Sequence, residues 1–537
     1  MHKRTIGDRI LEIIPGGLSY LVLLLPIILS LFLPAALVVF IICYDFYWLI
    51  RSLFMGVYLI SAYYHMNYEN NIDWQERLEN LSDISDLIRK TRKRLKNASF
   101  FEKRKLSEEL RLLLHLRNNP TKQIDYRELY HAVIFTTYKE PYEVLHKSIS
   151  AVADSDYPND KIILILATEA RSGNEGQEIA HELKKDFEDV FAKFLITIHP
   201  AEIERELKGK GSNAYWAGQK LKKLINEMNV DYEKVMVSIF DADTRPSYSY
   251  FSSLTYKYLL HTDRTYHSYQ PIPLYSNNIW QVPPVIRIVA FGSSFWQLIE
   301  STRPYRLINF SSQSLSLKTL VDIDFWDRFI VSEDSRTYYR AFFRYHGKHS
   351  CVPLFNPVYM DAIYADTLWQ TLKNQYLQKR RWAWGVEHFP YLVKEALTHK
   401  EIPFFKRWYL AFRHLESQVS WASASLLIAF GLWWPFLLNP YFKTSILSYY
   451  LPILAQRLLT ITWIGLIISG WVSTLLLPKK PVKYTSLGKM GVFMSWVFVP
   501  ITALFFGALP AIDAQTHLLT GKYLGFWVTP KSLVKSR

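Results

Sequence analysis

Cysteine is nearly absent. The 537 residues hold two, Cys43 and Cys351. Cys43 lies in an apolar run and Cys351 far from it, so there is no disulfide framework and no cysteine-based zinc spacing. The soluble parts accordingly fit a reducing compartment. The chain also has no internal repeat and no low-complexity tract, which excludes solenoid and linker-type architectures. Its formal net charge is +15, a balance that suits nucleic acid, an anionic membrane surface or anionic substrates. Nucleic acid is disfavoured because the aromatic and apolar residues form contiguous blocks instead of alternating with the basic ones. Long stretches carry no charge at all.

Those stretches set the organisation. Half the residues are hydrophobic, 16% aromatic and 21% charged, which reads as a soluble domain joined to membrane helices. The length exceeds one compact core and predicts two or three units. Residues 13–64 are apolar apart from Asp45 and Arg51. A span needs about 20 residues rising about 1.5 Å each, so this block holds two. Pro34 divides it into helices near 17–33 and 35–62. A cleaved signal peptide fits poorly, since the apolar run outlasts its hydrophobic region. Lys3, Arg4 and Arg9 predict a cytoplasmic N-terminus. Asp45 is costly within a span and is expected to face protein or the interface.

Residues 67–125 change character. Arg89, Lys90, Arg92, Lys93, Arg94, Lys96, Lys103, Arg104 and Lys105 alternate with apolar residues at helical spacing. They describe either a solvated helical pair or an amphipathic segment on anionic headgroups. From Tyr130 to about Lys400 short apolar strands (131–136, 161–167, 194–198 and 235–240) alternate with helical segments (142–153, 175–188 and 215–228). That alternation predicts an α/β domain with a mostly parallel sheet, binding its ligand at the strands' carboxyl ends. Residues 417–442, 458–478 and 490–512 are each long enough to span again. Lys479, Lys480, Lys483 and Lys489 put the loop between the last two inside. Five spans from a cytoplasmic start place the C-terminus outside, whereas Lys522, Lys531, Lys535 and Arg537 prefer the inside.

Chemistry concentrates in three places. The strand at 235–240 runs into Asp241-Ala242-Asp243-Thr244-Arg245-Pro246. Two carboxylates at a strand's carboxyl end suit a hard divalent cation that bridges a diphosphate. The rival reading is a turn cap, with Pro246 stopping the sheet. Ser332-Glu333-Asp334-Ser335 precedes a helical run at 338–345. Its acids are either helix caps or a general base for a hydroxyl acceptor. Gln378, Arg381 and Trp382 share one face of a helix starting near Asp366. A guanidinium fork, a neutral amide and an indole face suit a phosphate and a sugar. A snorkelling basic–aromatic face near the membrane is the ordinary alternative.

In this order the motifs resemble glycosyltransferase family 2, in particular its membrane branch of cellulose, chitin and hyaluronan synthases. The resemblance covers roughly residues 130–385, and the C-terminal helices are similar in placement. HAVIFTTYKEP (131–141) looks like the family's first strand, implying that Thr137, Tyr138 and Glu140 line the nucleotide pocket. KGKGSNA (208–214) resembles the donor-contacting K-x-G-x-x-N-A segment and implicates Lys210 and Asn213. Asp241 and Asp243 match the D-x-D, Glu333-Asp334 the T-E-D, and Gln378, Arg381 and Trp382 the Q-x-x-R-W. Two departures stand out. Glu169 takes the place of an Asp at the end of the second strand, and FSSQSLSLKTL (310–320) replaces a Gly-rich acceptor segment.

The resemblance implies a nucleotide-sugar-binding, Rossmann-like glycosyltransferase domain of the A-type fold inserted between transmembrane helices. The expected division is 1–66 membrane hairpin, 67–125 basic segment, 126–404 catalytic domain and 405–537 membrane helices and tail. It implies an inverting hexosyl transfer from a nucleotide sugar to a glycan or polysaccharide, with Asp334 as base. Mg²⁺ or Mn²⁺ would sit mainly on Asp243, with Asp241 contacting the metal or the ribose. A single transfer onto a lipid or lipid-linked acceptor is the alternative. The expected location is a bacterial-type plasma membrane, multi-pass, with the catalytic domain cytoplasmic and in contact with membrane lipids. A catalytically dead scaffold is opposed by the intact motifs, and a transporter by the few ionisable residues in the spans.

Overall fold

The computed structural model describes residues 5–479 and 487–528. Lys3, Arg4, Lys480, Lys483, Lys531, Lys535 and Arg537, which bear on the topology expectation, lie outside the described residues. The described residues divide into two compact units, one of 5–60, 279–292, 363–479 and 487–528, the other of Ser61–Asn278 and Ser293–Ala362.

The first unit is helical. Among the described residues, five helices are long and apolar enough to cross a membrane: Ile6–Phe32, Pro34–Asn70, Phe404–Leu438, Ile446–Leu475 and Gly488–Thr520. The second begins in this unit and continues into the other. Each matches an expected span in place but runs longer, because polar ends continue the helix beyond the apolar stretch. Thr5 opens the first helix in a reciprocal capping box with Asp8. The first and last helices are knitted by polar contacts. Arg9 donates to the carbonyls of Leu518 (2.9 Å) and Leu519 (2.6 Å), and Ser19 to Gln515 Oε1 (2.6 Å). Gly16 permits this approach, since a Cβ there would lie 3.0 Å from the Gln515 carbonyl. Asp45 is buried, as a residue facing protein should be.

The second unit carries an eight-stranded sheet: β1 Tyr130–Thr136, β2 Ile162–Glu169, β3 Lys193–His199, β4 Val235–Asp241, β5 Arg245–Pro246, β6 His267–Leu274, β7 Ser314–Ser316 and β8 Ser350–Tyr359. The order is β3-β2-β1-β4-β7-β6-β8-β5. Strands β3, β2, β1 and β4 are parallel. Successive residues of these strands face opposite sides: Val133, Phe135, Leu164 and Leu166 enter one buried cluster, and Ala132, Ile134, Ile163 and Ile165 the other. Helices on both faces explain why the strands read as unbroken apolar runs.

The sheet is more mixed than expected. β7 runs antiparallel to both β4 and β6, and β5 antiparallel to β8. Pro246 does not stop the sheet. It sits in the edge strand β5, where a missing N–H is tolerated. The strand order reverses between β1 and β4, and Thr136 lies opposite Asp241 in the register. A crevice at the carboxyl ends of these two strands is where an open α/β sheet takes its ligand.

Candidate active site

Strand β4 delivers Asp241 to that crevice. Its carboxylate is about a third exposed, with Oδ1 2.8 Å from Lys210 Nζ. Oδ2 accepts a 2.7 Å bond from the Ser311 hydroxyl. The chain then turns, with Thr244 N–H donating to the Asp241 carbonyl at 2.9 Å. Asp243 is completely buried, and its Oδ2 accepts the Asp361 N–H at 2.9 Å. Asp361 in turn lies 4.0 Å from Arg245.

Lys210 opens the helix Lys210–Glu227 and is buried. Its ammonium lies 3.4 Å from Asp334 and 3.8 Å from Glu333 besides Asp241. Burial alone would lower its pKa, yet Asp241, Asp334 and Glu333 together hold it above the ordinary lysine value. Gly211 makes this convergence possible. A Cβ there would stand 2.4 Å from the Asp327 carbonyl and 3.1 Å from Glu333 Cβ, so the helix start lies directly against the acidic segment. Glu333 and Asp334 begin the helix Glu333–Arg344, where the helix dipole favours negative charge. Gln313 donates from Nε2 to Asp334 Oδ1 at 3.2 Å.

Ser311 and Gln313 thus hold the two carboxylates from one short loop. Between them Ser312 has φ 67°, a left-handed conformation uncommon outside glycine. Its hydroxyl, 3.3 Å from Thr244 Oγ1, anchors the loop to the Asp241 turn. Sequence reasoning missed Ser311, Gln313, Gly211, Asp361 and Arg171. The dense serine and glutamine of FSSQS, in a position bordered by apolar residues, was the available signal.

The remaining motif residues are placed as follows. Thr137 and Glu140 close a turn after β1, where Glu140 Oε2 accepts the Thr137 hydroxyl (2.8 Å) and the Tyr138 N–H (2.7 Å). Glu169, buried at the end of β2, is gripped by both ends of the Arg171 guanidinium. That guanidinium also lies 4.6 Å over the Tyr138 ring. Asn213 donates to the Ala167 carbonyl at 2.7 Å, fastening the lysine's helix to β2. Gln378, Arg381 and Trp382 belong to the other compact unit. There Gln378 accepts from Gln375 (3.0 Å), Arg381 lies 4.9 Å over Phe526, and Lys379 lies 4.3 Å over Trp382.

No protein-family model matches the chain, and no curated protein matches it in sequence. Solved structures do. Similar ones include a mannosyltransferase, PcManGT from Pyrobaculum calidifontis, in complex with GDP-Man and Mn²⁺: 14% identity, 70% of this chain and 86% of that one covered, TM-score 0.36. S. aureus TarS 1-349 in complex with UDP-GlcNAc is another, at 10% identity, 70% and 91% coverage and TM-score 0.31. Both hold a nucleotide sugar.

Chemically, the ligand-type atoms gathered around the Lys210 ammonium are oxygens, from Asp241, Asp334, Ser311 and Glu333. Such a set suits a hard cation and not a soft one. Asp241 already accepts a cationic partner, the Lys210 ammonium, so the donor chemistry fits a divalent ion. Asp243 is the less accessible of the D-x-D pair, its Oδ2 being committed to backbone.

Proposed function

We propose that the chain is a membrane-embedded, inverting glycosyltransferase of hexosyl type and family 2-like character. In this reading it moves a sugar from a nucleoside-diphosphate sugar to a growing glycan or polysaccharide at the cytoplasmic membrane face. One observation carries the reading. Asp241, Glu333 and Asp334 converge on the Lys210 ammonium at the carboxyl end of β4, beside the reversal of strand order. Separate segments of chain supply these groups, and a cluster of facing charges at a strand's carboxyl end is the kind of arrangement that functional sites use.

Asp241 and Asp243 would hold Mg²⁺ or Mn²⁺, which when bound neutralises charge on the departing diphosphate. Asp334 takes the proton of an acceptor hydroxyl. The freed oxygen bonds to the anomeric carbon from the face opposite the breaking bond to the diphosphate, and the nucleoside diphosphate leaves with that electron pair. Configuration inverts. Lys210 and Gln313 hold the Asp334 carboxylate. Tyr138 and the Glu169–Arg171 pair are assigned to the nucleotide, along with Thr137, Glu140 and Asn213. The motif assigns Gln378 and Arg381 to the diphosphate and Trp382 to the acceptor sugar.

The test is turnover by purified full-length protein with a panel of donors that includes GDP-mannose and UDP-GlcNAc, in Mn²⁺, Mg²⁺ or chelator, with product mass recorded. Asp334→Asn retains donor binding and loses transfer by at least about 10²-fold, the usual worth of a general base. Failure with every donor would point to an inert scaffold. A large loss in Glu333→Gln with none in Asp334→Asn would move the base to its neighbour. A single sugar per acceptor would identify a single-transfer enzyme.

A further inference from the structure

A second group of ligand-type side chains lies at the other end of the sheet. β6 runs parallel to β8, and both β6 and β4 run antiparallel to β7. The first residue of β6 therefore sits at the end opposite Asp241. That residue is His267. The helix Tyr250–Leu260 ends just before His261, and a short turn carries the chain through Asp263 to His267. One donor atom from each of His261, Asp263 and His267 lies within 4.8 Å of the others.

We infer that His261, Asp263 and His267 form a zinc site. Two imidazoles and one carboxylate are a donor set that zinc accepts, with water completing a tetrahedron. His267 Nε2 lies 3.1 Å from Asp263 Oδ1, and His261 Nδ1 4.0 Å from the same oxygen. With metal–ligand distances of about 2.0–2.1 Å, ligand atoms in a tetrahedral site stand roughly 3.4 Å apart. The His261–Asp263 gap is about 0.6 Å wider than that spacing, and the two imidazole nitrogens, within 4.8 Å of each other, close to it by rotation of the His261 ring. The imidazole rings are largely buried, with centroids 4.3 Å apart, while Asp263 opens to solvent. An ion therefore has a route in and a free position for water.

The site also has an outer support. His267 Nδ1 lies 2.8 Å from Ser350 Oγ, on the paired start of β8. With its Nδ1–H donated to that hydroxyl, the ring presents Nε2 as a lone pair toward Asp263, the tautomer a metal needs. Without a metal the same ring must turn a proton toward Asp263. The guanidinium of Arg264 does not compete for Asp263, since it is bound to the carbonyls of His261 and Lys122. The bound ion pins the connection between helix and strand to two neighbouring strands. It is distinct from the cation of the transfer reaction, which belongs to the carboxylates of β4.

The measurement is zinc per chain, by elemental analysis and by titration of chelator-stripped, full-length protein in detergent without nucleotide. One equivalent is expected to bind and to raise the melting midpoint. Asp263→Asn, at a side chain 59% exposed, and His261→Asn each lower zinc affinity by about 10-fold or more. Ser350→Ala, a positioning change, lowers it about 10–100-fold. Asp334→Asn leaves it unchanged. Absence of bound zinc overturns the inference, as does equal binding by wild type, Asp263→Asn and His261→Asn, which would place the ion elsewhere. Neither result bears on glycosyl transfer, so the two readings stand or fall separately.

Discussion

Replacing Lys210 by methionine keeps much of the side chain's volume and removes its charge. The ammonium is buried and lies 2.8, 3.4 and 3.8 Å from Asp241, Asp334 and Glu333. Without it three carboxylates at the end of β4 lose the cation they share. Breaking a buried ion pair from one side costs about 3–5 kcal/mol, because the remaining charge is left uncompensated. Asp241 and Asp334 are 31% and 22% exposed, so water screens part of the repulsion and the lower end, about 3 kcal/mol, is expected. For a folded unit of nearly 300 residues that corresponds to a fall of about 5 °C in melting midpoint. The decisive arm adds metal. If these carboxylates hold a divalent cation, millimolar Mn²⁺ replaces the missing charge and restores more of the midpoint in Lys210→Met than it adds to wild type. Differential scanning fluorimetry of the detergent-solubilised chain, with and without Mn²⁺, reads both quantities. A variant melting within about 1 °C of wild type, or one indifferent to Mn²⁺, would refute the electrostatic account of the site.

Three further outcomes follow from named groups. Burial raises the Asp156 carboxyl to about 6 in spite of a hydrogen bond from Ser252. Its folded pKa lies above its unfolded one, so its ionisation opposes folding and stability falls as pH rises from about 4 to 6; Asp156→Asn flattens melting midpoint against pH in that window and melts higher at pH 7. Gly211→Ala places a Cβ against the Asp327 carbonyl and should cost about 1–3 kcal/mol in a melting assay; its donor turnover should fall further than stability alone accounts for, because Lys210 is displaced with it. Trp382→Ala should weaken acceptor use more than donor hydrolysis, by about 1 kcal/mol or more for one lost stacking face, read as shortened product on gels or by mass.

The parallel half of the sheet was legible because β1, β2 and β4 are buried on both faces and so are mostly apolar, with a carboxylate pair marking the exit of β4. The antiparallel half was not. β6 reads HSYQPIPL, with two prolines flanking a register shift, and β7 is Ser-Leu-Ser. Both are held by buried polar contacts, such as Ser238 to Ser314 and Ser268 to Asn309, that leave no hydrophobic period. The same holds at the site. Asp241 and Asp334 were legible as strand-exit and helix-start acids, whereas Ser311 and Gln313 matter through a left-handed Ser312 that no local pattern in the chain announces. Gly211 was visible only as part of a motif; its reason, contact with Asp327, is tertiary.

The bond from Arg9 to the carbonyls of Leu518 and Leu519 joins the first described helix to the last. At about 5–20 residues per second, the ribosome makes the second partner roughly 25–100 s after the first. For that interval Arg9 and Ser19 have no helix end or Gln515 to meet, and all eight strands of the sheet are made in between. Biogenesis therefore has a vulnerable window. A chain cut short before residue 500 keeps the Arg9–Glu12 pair but lacks every contact that fastens the first helix to the last.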